Sequence, residues 1–119
     1  MQILKFNDTE YSRVFMGKSC TVRLGNNAHN HTLGRAKLVN VDAYGQGDEC
    51  GVNIHSITFT KLSHVTEEMI DGELVVDINQ LLERLSGIYG CEITKDSFVT
   101  VIQFDKPFLL KEQNNQTEE

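Results

Sequence analysis

Gly17-Lys18-Ser19-Cys20-Thr21-Val22-Arg23 is the stretch on which the reading of this chain turns. A short helical pattern precedes it. Asn7 stands as an N-cap, Glu10 sits three residues on where a capping-box carboxylate reaches back to the Asn7 amide, and Tyr11, Val14 and Phe15 make one apolar face at i, i+3 and i+4. Gly17 suits the positive φ that ends such a helix. The residues that follow read as a strand, so Thr21 and Arg23 share one face while Lys18 lies at its mouth. An amine, a hydroxyl and a guanidinium are thereby gathered at one end of a sheet. A small pocket for an oxyanion, a phosphate or a base edge needs such groups.

Outward from this stretch the pattern alternates between strands and short helices. Residues 1–6 read as a strand, as do 34–44, 51–62 and 97–104, with Gly45-Gln46-Gly47-Asp48 as a turn. The long strand changes phase at His55-Ser56. Val52 and Ile54 have one parity, Ile57 and Phe59 the other, and a β-bulge between them returns both pairs to one face. Thr66 caps a short helix carrying Glu67, Glu68 and Met69. Asp77 with Gln80 opens a longer one, whose stripe of Ile78, Leu81, Leu82, Leu85 and Ile88 reads as core and whose Asn79, Glu83 and Arg84 read as a solvated face. Gly90 stops it. The expected class is α+β: a mixed β-barrel of five or six strands with helices near 7–16, 64–70 and 77–88, or an open sheet built from the same elements. Residues 1–107 form the expected domain. Pro107 ends the last strand, and 108–119 are expected to be a polar, acidic tail without fixed structure.

Composition narrows the partners. At 119 residues a single hydrophobic core is the default. No run approaches the roughly 20 apolar residues that span a bilayer, and the first residues lack the apolar stretch of a secretory signal, so a cytoplasmic location and no membrane partner are expected. The formal net charge is -6; the tail from Lys111 holds one lysine and three glutamates, a net of -2, which leaves -4 on the body. A negative body has no overall field to hold duplex DNA, so a nucleic-acid role has to rest on a local pocket.

Phosphate-binding loops, dinucleotide fingerprints, GxSxG and HExxH are all missing from the sequence. Cys20, Cys50 and Cys91 are far apart and form no CxxC pair; they read as thiols in a reducing compartment, with Cys20 and Cys91 in the core. His29 and His31 share a strand parity that suits a metal, but no third ligand lies near them in sequence and a polar loop is the expected reading. His55 and His64 read as structural or surface residues.

The run Gly17-Lys18-x-x-Thr21-x-Arg23 after a short first helix resembles the signature of the ASCH domain family, a PUA-like β-barrel. Three further stretches agree with that family in order: Gly51 to Glu68, a long strand running into a helix start; Asp77 to Tyr89, a helix closing on Ile88-Tyr89; and Val99 to Phe104, a last strand. The resemblance covers about residues 1–105. It implies an RNA- or nucleoside-related role. In some members a Lys, a Thr and a Glu are the proposed catalytic groups of an amidohydrolase that removes the acetyl group from N4-acetylcytidine. The first two carry over to Lys18 and Thr21. An ungapped count back from Ile88-Tyr89 lands on Leu74, with Glu73 one residue earlier, and Glu73 is the candidate carboxylate. Arg23 is the candidate substrate-binding group. Two functions follow from the resemblance: hydrolysis of the N4-acetylcytidine amide without metal or other cofactor, or non-catalytic binding of a nucleoside or single-stranded RNA in the same pocket.

Overall fold

The computed structural model describes residues 2–43 and 50–110. The expected Gly45–Asp48 turn and the polar tail from Lys111 lie outside these residues. Chain order runs through strand β1 (Gln2–Phe6), helix α1 (Asp8–Val14), β2 (Cys20–Leu24), a 3₁₀ turn at Ala28–Asn30, β3 (Gly34–Asn40) and β4 (Cys50–Lys61). A 3₁₀ turn at Leu62–His64, helices α2 (Glu67–Gly72) and α3 (Ile78–Tyr89), β5 (Phe98–Phe104) and β6 (Phe108–Leu109) complete it. The strands form one curled sheet in the order β1-β3-β4-β5-β2, with β6 on β4. β1 and β3 are parallel; every other pairing is antiparallel. The class is α+β as expected, and the mixed sheet of the expected barrel is curled as a half-barrel.

Local chemistry starts the three helices and stops the last one where the sequence places those ends, whereas the strand expected over 34–44 stops at Asn40. The side chains of Asn7, Thr66 and Asp77 accept the backbone N–H of Glu10, Met69 and Gln80 respectively, which satisfies donors that the first turn of a helix leaves unpaired. Gly90 closes α3 in the left-handed region at φ 65°. In β4 the register against β5 shifts between Ile54 and Ser56, so that Ile54 faces Phe104 and Ile57 faces Ile102. His55 is the extra residue, and the bulge keeps Ile54 and Ile57 against the same core despite their opposite parity.

The sheet separates two apolar clusters. Leu4, Phe6, Val14, Leu38, Val52 and Phe104 fill the concave side beneath α1. Val22, Leu62, Leu81, Leu85, Val99 and Val101 pack with α2 and α3 on the other. β5 serves both, its side chains alternating between them, and is buried along most of its length.

Four expectations are corrected. The fold continues past 107: Phe108 and Leu109 pair with Gly51 and Cys50, and Leu110 is buried. Pro107 ends β5 without ending the domain, because three apolar residues follow it. Cys91 is exposed after the end of α3, whereas Cys20 and Cys50 are buried, and no disulfide joins the three. Ile88, in the last turn of α3, is about half exposed and lines the cavity described below rather than the core. Arg84 does not lie on a solvated face. No helix among the described residues is long and apolar enough to cross a membrane.

Candidate functional site

β1 and β2 are the two ends of the sheet path and do not pair with each other among the described residues. The curl of the sheet brings them to a common seam, which a side chain bridges: Arg23 Nη2 on β2 donates to the carbonyl of Lys5 on β1 at 2.7 Å. A cavity of about 210 Å³ opens at this seam, lined among others by Glu10, Lys18, Thr21, Arg23, Glu73 and Arg84. The four residues singled out in the sequence therefore share one cavity.

Each is positioned by a distinct piece of the fold. Gly17 turns the chain at φ 109° after α1, and Lys18 then enters the interior, where it is 3% exposed. Thr21 and Arg23 share the concave face of β2, and Arg23 Nε donates to Thr21 Oγ1 at 3.2 Å. The Arg23 guanidinium also lies over the Phe6 ring, 5.3 Å from its centroid. Glu73 comes from the C-cap of α2. Close backbone approach carries it in: the Ser19 N–H donates to the Gly72 carbonyl at 2.8 Å, and a Cβ on Gly72 would lie 2.9 Å from Cys20 Cβ and Ser19 Oγ. Only glycine lets α2 sit this near the start of β2. Leu74 follows in the left-handed region at φ 60°, a conformation that costs a non-glycine residue about 1 kcal/mol or more.

Glu73 is 3% exposed, and each of its carboxylate oxygens has at least one donor. Oε1 is in direct contact with Lys18 Nζ, and Arg84 Nη1 lies 3.4 Å from the same oxygen. Oε2 accepts the Val22 backbone N–H at 2.9 Å. Arg84 also donates to the carbonyls of Glu73 and Leu74, at 2.7 and 3.1 Å. Burial pushes the Glu73 carboxyl above its ordinary range, and the Lys18 ammonium opposes that rise. Burial likewise pushes Arg23 down, with Tyr89 and Glu73 opposing. Cys20, on the opposite face of β2, is pushed up to about 12, first by burial and then by Glu73. Its thiol stays protonated and takes no part in nucleophilic chemistry at neutral pH.

Three participants escaped the sequence reading. Glu10 does not reach back to cap α1; its carboxylate is buried beside Lys18, with Oε2 at 3.7 Å from Lys18 Nζ. The signal was its place four residues before Val14, on the buried side of the helix. Arg84, read as solvated, is three residues from Leu81 and four from Ile88, at the border of the apolar stripe, and its long stem carries the guanidinium to Glu73. Tyr89 accepts the Leu24 N–H on its phenol oxygen at 3.0 Å, tying α3 to the end of β2. His29 and His31 lie in and just after the 3₁₀ turn that follows β2. Among the described residues no three His, Cys, Asp or Glu side chains converge as a metal site.

No family model matches the sequence, and no curated protein matches it. Among solved structures, the ASCH domain from Lactobacillus crispatus JV V101 is similar in fold, with a TM-score of 0.55 over 82% of this chain and 70% of that one, at 16% identity. The chain has an ASCH-like fold.

Proposed function

We propose that this chain, built on an ASCH-like fold, takes a nucleoside or a single unstacked RNA base into the seam cavity and hydrolyses the acetyl amide of N4-acetylcytidine. The observation that carries the reading is the buried contact of Lys18 with Glu73 beside Thr21 and Arg23. The cavity, at about 210 Å³, is below the roughly 300–1,000 Å³ of drug-sized sites. It suits one base, with the sugar left at the mouth.

The chemistry follows from the pair. Transfer of a proton from Lys18 to Glu73 leaves a neutral amine and a carboxylic acid. The amine takes a proton from a water molecule as the water oxygen adds to the acyl carbon. Arg23 uses one donor on Thr21 and one on Lys5; its remaining N–H groups complement the negative charge on the acyl oxygen. Thr21 orients the water. Glu73 then gives its proton to the exocyclic nitrogen as the C–N bond breaks. Acetic acid and the free amino base leave, with Lys18 and Glu73 back in their starting states.

A second reading, a non-catalytic RNA-binding module, is favoured by the engagement of both Glu73 carboxylate oxygens by Lys18, Val22 and Arg84, which suits a structural clamp. In that case Lys18 and Arg23 matter for binding and Glu73 does not. The test is release of cytidine from N4-acetylcytidine, with chelator present, by the natural protein and by Lys18→Ala and Glu73→Ala. Turnover lost in both variants is the expected result. No turnover by the natural protein removes the hydrolase and leaves the binding module.

A further inference from the structure

Two carboxylates line the seam cavity near Lys18, and they are in opposite conditions. Glu73 has its oxygens satisfied by Lys18, the Val22 N–H and Arg84. Glu10 is 7% exposed, yet no hydrogen bond to its carboxylate is formed by any described residue, and Oε2 is buried without a hydrogen-bond partner. Cations surround Glu10 at longer range: Lys18 and Arg13 at 3.7 Å from Oε2, Arg84 at 3.8 Å from Oε1. These offset its charge but do not fill its lone pairs. A buried acceptor without a donor is costly, and such groups in folded proteins call for an explanation.

We infer that Glu10 is the group that reads the bound base, accepting the N–H of an exocyclic amine or amide so that the cavity selects cytosine-type bases over uracil-type ones. This rests on the base-binding reading of the cavity. The discrimination is electrostatic. A cytosine edge presents an N4–H donor, which a carboxylate accepts. Uracil presents O4 at the same position, an acceptor that would face a carboxylate with no proton between them. A site built to bond a ligand donor rejects the analogue that lacks it, because its own buried group is then left unpaired. Glu10 acts in this way on binding alone and has no part in the proton transfers assigned to Lys18 and Glu73.

The test uses ligands that do not turn over. Affinities of cytidine and uridine are measured by NMR titration for the natural protein and for Glu10→Gln, whose amide offers a donor and an acceptor and serves either edge. The natural protein should prefer cytidine by about tenfold, the weight of one hydrogen bond to a charged acceptor, and Glu10→Gln should bind the two equally. A second comparison needs no variant: N4,N4-dimethylcytidine, which lacks the N–H, should bind the natural protein about tenfold more weakly than N4-methylcytidine. Equal binding of cytidine and uridine by the natural protein, an unchanged preference in Glu10→Gln, or equal binding of the two methylated ligands would overturn the role of Glu10 and leave the base pocket standing. Binding of none of these ligands would instead remove the pocket reading itself, and this inference with it.

Discussion

Glu73 Oε2 accepts the backbone N–H of Val22 at 2.9 Å, while Oε1 of the same carboxylate contacts the Lys18 ammonium. One side chain from the end of α2 thus holds both the entry to β2 and the amine that precedes it. The arrangement couples stability to the site, since the groups assigned to chemistry also join two parts of the fold.

Breaking the pair should be costly. Lys18→Ala leaves a buried carboxylate with only Arg84 and one N–H to stabilise it, and removing one partner of a buried ion pair costs about 3–5 kcal/mol. Glu73→Gln in the same background removes the stranded charge and should recover part of that loss. Urea denaturation of the single and double variants measures both. A Lys18→Ala protein as stable as the natural one would show that the pair contributes nothing to the fold.

Gly72→Ala should destabilise the protein by about 1–3 kcal/mol through overpacking, because the new methyl meets Cys20 Cβ and Ser19 Oγ at 2.9 Å. It should also weaken ligand binding, since α2 must retreat from β2 and take Glu73 with it. Thermal melts and NMR shifts at Val22 report the two effects. An unchanged Val22 amide shift would mean that the strain is relieved without moving Glu73.

Burial raises the Glu73 carboxyl above its ordinary value of 4.5, against the pull of Lys18. A carboxyl raised in the folded state holds its proton more tightly there than in the unfolded chain. Its contribution to stability is therefore complete below the unfolded value and is lost as pH rises through the folded one. Stability of the natural protein should fall with rising pH upward from about 4.5, relative to Glu73→Gln, in which this slope is absent. Matching slopes for the two proteins over that window would contradict the shift.

The three cysteines should separate by reactivity. Cys91 is exposed, Cys50 is buried, and Cys20 is buried with its thiol pushed up to about 12. A thiol reagent at mildly alkaline pH should label Cys91 at once and the other two only after unfolding. Mass spectrometry identifies the site; rapid labelling of Cys20 in the folded protein would place it in a different environment.

Much of the architecture was legible because its causes are local. The Asn7, Thr66 and Asp77 caps, the Gly90 stop and the phase change at His55 are read from neighbours within four residues, and each appears in the structure. Lys18, Thr21 and Arg23 were legible as a group for the same reason, since strand alternation and a helix stop set their relation. Arg84 was misread because periodicity assigns a helix face by angle, whereas a long side chain at the border goes where a partner waits. Glu10 was misread because the capping-box spacing is a local preference that a buried lysine outcompeted.

The sequence by itself determined the order and approximate extents of β1 to β5 and of the three helices, and that an amine, a hydroxyl and a guanidinium share one strand mouth. Only the tertiary structure decided that Glu73, 55 residues from Lys18, touches it. It also decided that Arg84 and Glu10 close the charge around the pair and that the site lies at the seam between β1 and β2. The reason is physical. Periodicity and capping act over one or two turns of chain, whereas the approach of Gly72 to Cys20 depends on the sheet curl, on the packing of α2 and on the fit of both clusters at once. No short window of sequence carries that sum.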